Sequence, residues 1–355
     1  MLSKEGKNEF DISFVDDLGK FLSDRKCAGS IYPADYITEK PWSFLSSSIM
    51  TQLVALGDKV DSLKNLADIF VGLQTSADKI YIVKEEISDE NYLYFTDVNG
   101  VARKVEKSIL RKSVYDTQLI KYEKIVANTY IIYPYQKIGN KVELFSIEKM
   151  KSEYPYAYEY LLAFKDILDK RNMPTRTENT WYAYGRSQSI KRFLEGNHLI
   201  WPVLSLDANY VFDDEKISFT GGGNGPFYGL EMKSDVKESI FYVQALMNHW
   251  LLEEIVKSKA SFFRGGYYSH GKQFVAELPI YRIDFDNSSE KKLHDEIVEK
   301  VNLMMDLSSR KTSATNQREK DTISRAIENI QDEINTIVDN LYGVEQQKGV
   351  DIDEF

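Results

Sequence analysis

Cysteine is almost missing from this chain of 355 residues. Cys27 stands alone, so no internal disulfide can form and a reducing compartment suits the protein. Histidine is scarce too. His198, His249, His270 and His294 lie far apart, with no spacing that reads as a zinc site or as part of a Ser/His/Asp or Cys/His nucleophilic arrangement. No run of 18 apolar residues occurs, which excludes a helical membrane span. The opening MLSKEGKNEFDISF lacks the apolar core of a signal peptide. The eight prolines include no Pro-Pro pair, and no glycine-rich turn sits between a Rossmann-like strand and helix. The expectation is a soluble cytoplasmic protein that binds no metal or cofactor itself.

What the chain does have is globular composition, 43% hydrophobic and 28% charged, with enough length for one large domain or two ordinary ones. The net charge of -10 is unusual for a nucleic-acid binder. Basic residues nevertheless gather locally. Lys257 to Lys272, KSKASFFRGGYYSHGK, holds four Lys/Arg and no acid, and Arg103 to Lys124 holds seven basic against three acidic residues. The tail from Glu345 to Phe355 carries part of the surplus acid.

Periodicity predicts an α+β chain. Pro33 and Pro41 break the first residues into a lead-in of a helix or two and a linker, 1–60. ADIFV, turn-rich GLQTSAD and KIYIV read as strand, loop, strand, and NTYIIYPY as a further strand ended by Pro134. Pro155 opens a helix with Tyr158, Leu161, Phe164, Ile167 and Leu168 at helical spacing. LIWPVL and NYVF read as short strands. Asp235 with Glu238 predicts an N-cap and capping box for a helix running to about Lys257, with Ile240, Val243, Met247, Trp250 and Leu251 on its buried side. After this mixed body, 61–286, Leu293, Ile297, Val301, Met304 and Met305 form a stripe on one helix. Ile323, Ile327, Ile330, Ile334, Ile337 and Leu341, spaced 4, 3, 4, 3 and 4, form a heptad seam on the next. With the polar connector Ser308 to Asp321 these predict an antiparallel helical hairpin over 287–344, followed by the acidic tail 345–355. The seam is narrow and suits docking on one partner helix.

Taken in order, several segments resemble the TaqI-like C-terminal specificity, or target-recognition, domain of fused adenine-specific DNA methyltransferase-endonucleases of types IIG and IIS. They are LADIFVGLQTSADKIYIV, the block Ile109 to Tyr135, LLAFKDILDKR, WYAYGRSQ, RGGYYSHGKQFVAELPI and the ending LYGV, together covering Trp42 to Val344. The family's (Asn/Asp)-Pro-Pro-aromatic motif and cofactor loop are missing, so the resemblance reaches the recognition half alone. It implies an α+β reader with a mixed sheet that binds double-stranded DNA. The catalytic region, fused or separate, would methylate adenine with S-adenosylmethionine and cleave with Mg, and the hairpin would dock on it.

Candidate contact residues follow. Arg264 and Lys272 have the charge for phosphate or guanine, Gln273 the amide for adenine, and Tyr267 and Tyr268 the rings for sugar or base; an ordinary solvated hairpin explains the same residues. Gln74, Thr75 and Lys79 suit either a groove edge or a polar turn. Tyr184, Arg186, Ser187 and Gln188 carry suitable donors, although Arg186 equally suits a structural ion pair. Gly221 to Asn224 reads as a turn or as a phosphate nest. Two other functions remain open: a protein-protein adaptor without DNA contact, which the acidity allows, and an independent metal-dependent nuclease built on Asp213, Asp214, Glu231 and Lys233.

Overall fold

The computed structural model describes residues 9–12, 30–33, 45, 47–173, 177–221 and 225–344. Its organising element is a four-stranded antiparallel sheet in the order Val211–Asp213, His198–Pro202, Phe227–Met232, Ala67–Val71. Successive side chains on a strand point to opposite faces. Ala67, Ile69, Leu199, Trp201, Tyr228 and Leu230 accordingly enter one hydrophobic core, and Phe70, Ile200, Val211 and Phe227 enter another. A sheet buried on both faces needs near-continuous apolar strands, which is why HLIWP and ADIFV show no clean alternation. Gly229 faces Phe70 across the ladder. A Cβ there would lie 2.3 Å from the Phe70 ring, so the glycine makes room for an aromatic over the backbone.

The first core is mainly helical. Helices Ile240–Met247 and Trp250–Lys259 pack there with the long pair Ser288–Ser313 and Gln317–Tyr342. The second is aromatic and β-rich. It holds the three-stranded sheets Ile82–Val83, Thr129–Ile132, Leu110–Ser113 and Ile87–Ser88, Tyr92–Thr96, Ala102–Glu106, with helices Ile147–Glu153, Pro155–Ala163 and Lys165–Asp169. Buried tyrosines need a partner for the hydroxyl, and here they cross-link backbone. Tyr81 donates to the Tyr182 carbonyl at 2.8 Å, Tyr160 to that of Ile80 at 2.8 Å, and Tyr133 to that of Ile190 at 2.7 Å. The architecture is α+β, as the periodicity predicts.

Several local expectations change. KIYIV begins as a helical turn, Asp78–Tyr81, before the short strand Ile82–Val83, because Thr75 bonds the Asp78 carboxylate and accepts from the Ala77 N–H at 3.0 Å. Asp235 is not an N-cap. The helix starts at Ile240, capped by Ser239, whose hydroxyl accepts from the Phe241 N–H. Glu238 is buried and takes the Arg282 guanidinium at 2.8 Å. The helix also breaks at Asn248, which bonds both the N–H and the carbonyl of Tyr210, and His249 caps a second helix. The helix opened by Pro155 ends at Ala163, and Ile167 on the next one is exposed. Within the lead-in, Glu9–Ile12 pairs antiparallel with Ser30–Pro33, and Ser47–Leu56 is helical. The acidic tail 345–355 and positions 222–224, with Asn224, lie outside the described residues.

The isoleucine seam also reads differently in three dimensions. Ile323, Ile330, Ile334 and Leu341 are buried, Ile327 and Ile337 half-buried, and all six pack in the first core of this same chain. Val338 and Tyr342 are buried beside them, and Tyr342 donates to the Pro279 carbonyl at 2.7 Å. The heptad seam left out these two positions and so missed the wider stripe. The seam's partner is therefore the chain itself, not a separate helix. Gly343, with φ of 65°, ends the helix in the left-handed conformation. Ile334→Asp would place a charge where no solvent reaches and is expected to cost roughly 3–5 kcal/mol of folding stability. Urea titration measures this, and a variant as stable as the parent would contradict the packing.

Candidate nucleic-acid interface

Three connections leave the central sheet at one end. The register sets Tyr228 against Val71 and Phe227 against Pro202, so the segments after Val71, after Pro202 and before Phe227 emerge together. Leu73 donates to the Phe219 carbonyl at 2.8 Å, and Gly221 to that of Leu73 at 3.0 Å. The 184–188 loop is stitched alongside: Arg186 N–H donates to the Gln74 carbonyl and Gly185 N–H to that of Thr75, each at 3.1 Å. Residues 73–78 with Gly221 line an open hollow of about 390 Å³. The segment after Pro202 forms the short strand Leu204–Ser205, which pairs with Tyr267–Ser269, and that strand pairs with Phe262–Phe263.

Arg171 holds these loops. Its guanidinium donates to the carbonyls of Thr75 at 2.6 Å, Trp181 at 2.8 Å, Ala183 at 2.9 Å and Leu168 at 3.0 Å, with its central carbon 5.6 Å from the centre of the Tyr81 ring. Sequence reading passed it over as one cation in LLAFKDILDKR. Its fork of donors suits several acceptors at once, which a lysine cannot match.

The predicted contact residues separate into groups. Arg186, Ser187 and Gln188 are exposed beside half-buried Gln74, whose amide donates to the Gln188 side-chain oxygen at 2.6 Å. Lys79 is exposed on the adjoining helical turn. Arg264 and Tyr267 are exposed at the hairpin tip, while Tyr268 is half-buried, with the Phe262 ring 5.2 Å away and the Lys257 ammonium over its face. Gln273 is exposed on the short helix Lys272–Val275. Two candidates are corrected outright. Thr75 is fully buried, its hydroxyl spent on Asp78 and Ala77. Tyr184 is buried, donating to the Ile132 carbonyl at 2.7 Å. Lys272 is corrected in part, since its ammonium donates to the Ile69 carbonyl at 3.0 Å.

Three of the four nuclease candidates sit in packing roles, and Asp214 is exposed. Glu231 pairs with Arg192, and the Lys233 ammonium donates to the carbonyls of Lys64 at 2.8 Å and Asn65 at 3.1 Å. Asp213 is buried, which pushes its carboxyl up to about 6, and it accepts N–H bonds from Ile217 and Glu215. The strand His198–Pro202 separates Asp213 from Glu231. Among the described residues no group of three or more His, Cys, Asp or Glu could hold a metal ion, and no helix is long and apolar enough to cross a membrane.

No protein-family model matches the chain. It is similar to the type II restriction enzyme and methyltransferase RM.Eco57I of Escherichia coli, 28% identical over 355 residues, which is 96% of this chain and 35% of the relative. It is also similar to the type II methyltransferase M.BanIII of Aneurinibacillus aneurinilyticus, 20% identical over 200 residues, which is 55% of this chain and 31% of the relative. Its relatives are type II restriction-modification proteins. The chain spans about a third of the length of each.

Two predictions follow from this geometry. Arg171→Lys should lower stability by at least about 1.5 kcal/mol, because one ammonium cannot satisfy carbonyls on both loops. Limited proteolysis should then cut within 72–78 or 177–189, and an unchanged cleavage pattern would contradict the clamp. His198 is fully buried against Phe70 and Phe193, with neither ring nitrogen hydrogen-bonded among the described residues. Burial lowers its pKa from 6.5 to about 4. Between those values the folded state binds fewer protons than the unfolded chain, so its contribution is complete above pH 6.5 and is lost toward pH 4. At about 1.4 kcal/mol per unit, it amounts to about 3 kcal/mol. Asp213, with its carboxyl raised, acts in the opposite sense across the same window, and buried His249, lowered to about 3, in the same sense, so the test is the difference in pH slope between the parent and His198→Leu in urea titrations; an equal pH slope in both proteins would refute the assignment.

Proposed function

We propose that this chain is the sequence-recognition region of a type II restriction-modification enzyme, similar to the TaqI-like target-recognition domains. It would bind duplex DNA and direct a catalytic region, fused or separate, that methylates adenine with S-adenosylmethionine and cleaves with Mg. The observation that carries this reading is the convergence at one end of the central sheet. Exposed Arg186 and Gln188 and half-buried Gln74 occupy loops that the sheet register and the Arg171 clamp hold together, and exposed Arg264 tips the hairpin that pairs with Leu204–Ser205 at the same end. Arginine forks onto guanine and glutamine pairs with adenine in the major groove, while phosphate contacts set the register. Support also comes from the similarity to a protein named as both restriction enzyme and methyltransferase over 96% of this chain.

The adaptor reading rests on the net charge of -10. Salt separates the two. A reader with several phosphate contacts loses affinity steeply, by about a thousandfold or more between roughly 50 and 200 mM salt for six contacts. An adaptor shows no duplex affinity at either concentration. Arg186→Ala and Arg264→Ala are each expected to weaken duplex binding about tenfold, in keeping with about 1–3 kcal/mol per base-reading arginine, with unchanged thermal stability. Fluorescence anisotropy and thermal melts give both numbers, and unaltered binding in both variants would overturn the assigned surface.

A further inference from the structure

The ribbon formed by Leu204–Ser205, Tyr267–Ser269 and Phe262–Phe263 carries an apolar face of which the recognition reading uses Tyr267 alone. Its register sets Phe263 opposite Tyr267 and Leu204 opposite Ser269. Tyr267 and Ser269 are two residues apart, so these four side chains share one face. Leu204 is 48% exposed, Phe263 44% and Tyr267 42%. Leu206, 49% exposed, adjoins them beside Gly266. Phe262 on the opposite face is 65% exposed. Large apolar groups gathered on one small element mark a binding surface.

The chemistry around them selects the occupant. The tip is Arg264-Gly265-Gly266, with φ of 91° and 86° at the two glycines, so it is thin and only Arg264 projects from it. Positions 204–206 and 262–269 contain no carboxylate although the whole chain carries -10. Arg264 has no ion-pair partner among the described residues. An acid-free, arginine-tipped and slender ribbon complements a polyanion with a narrow entrance. It lies at the same end of the central sheet as Arg186 and Gln188. The ribbon is also firmly rooted: the His270 N–H donates to the Val203 carbonyl at 2.7 Å, the Trp201 indole to the His270 carbonyl at 2.9 Å, and the His270 ring bonds Glu253 at 2.9 Å.

We propose that this hairpin is an apolar wedge that enters a groove of duplex DNA and inserts Phe263, backed by Tyr267 and Leu204, between two base pairs, unstacking and bending the duplex. The inference rests on the recognition reading and adds a mechanical activity to it. Unstacking a step is costly, burial of the wedge offsets that cost, and the cost is least at pyrimidine-purine steps. The wedge would therefore contribute specificity at a step it reads by deformability rather than by hydrogen bonding.

The test uses this 355-residue chain and short duplexes carrying the motif it enriches from a random pool, with 2-aminopurine at each purine in turn. At saturating protein, fluorescence should rise several-fold at one step, and end-to-end energy transfer should report a bend. Phe263→Ala should bind yet lose both signals, Phe263→Trp should keep them, and Arg186→Ala should need more protein but reach the same plateau. A saturated, unbent duplex with no rise at any position, or a Phe263→Ala variant that keeps the rise, overturns the wedge and leaves recognition standing. Absence of binding to any duplex ends both.

Discussion

Burial of the central sheet on both faces is the constraint on which the rest depends. Because Leu199 and Trp201 enter one core while Ile200 enters the other, neither core can move without the other. The strand ends are then fixed points. Loops leaving Val71 and Pro202 and entering Phe227 inherit that rigidity, which the proposed recognition surface would need, since a displacement of an ångström changes which base edge a side chain reaches. Gly229 beneath Phe70 belongs to the same constraint, since any side chain there would push the ring out of the second core.

Rigidity at the strand ends reaches the loops through polar groups placed inside. Arg171 satisfies carbonyls from two loops with one guanidinium, and the hydroxyls of Tyr81, Tyr133 and Tyr184 each take a backbone carbonyl from another segment. Such buried polar contacts add little net stability individually, but leaving one unmade is expensive, so they favour one loop arrangement over its alternatives. The acidity of the chain fits this picture. Several basic residues are already neutralised, as with Lys112 and Lys124 on Glu215 or Lys257 on Asp207, which leaves Arg186 and Arg264 as cations at the sheet end.

Much of the fold was legible where periodicity is long. The strand Ala67–Val71, the helix start at Pro155 and the two long C-terminal helices follow from local spacing and capping. The candidate surface was legible only by segment. Gln74 and Thr75 are neighbours of the same polar character, yet one faces the surface and the other is sealed by Asp78. Tyr184 and Arg186 differ in the same way. Spacing cannot separate such pairs, because a turn's side-chain directions are set by what it docks on. The isoleucine seam failed for a related reason: its spacing identified a packed stripe but carried no information on whose surface fills it. Arg171 was invisible because its four partners are backbone carbonyls, which leave no mark in composition.

Selection of duplexes from a fully random pool by this chain alone, followed by sequencing of the bound fraction, tests the central claim most directly. If the loops at the sheet end read base edges, one short motif is enriched over successive rounds and point changes within it abolish retention. If the bound fraction stays as diverse as the starting pool, or nothing is retained at low salt, the chain does not discriminate nucleotide sequence and the account is wrong.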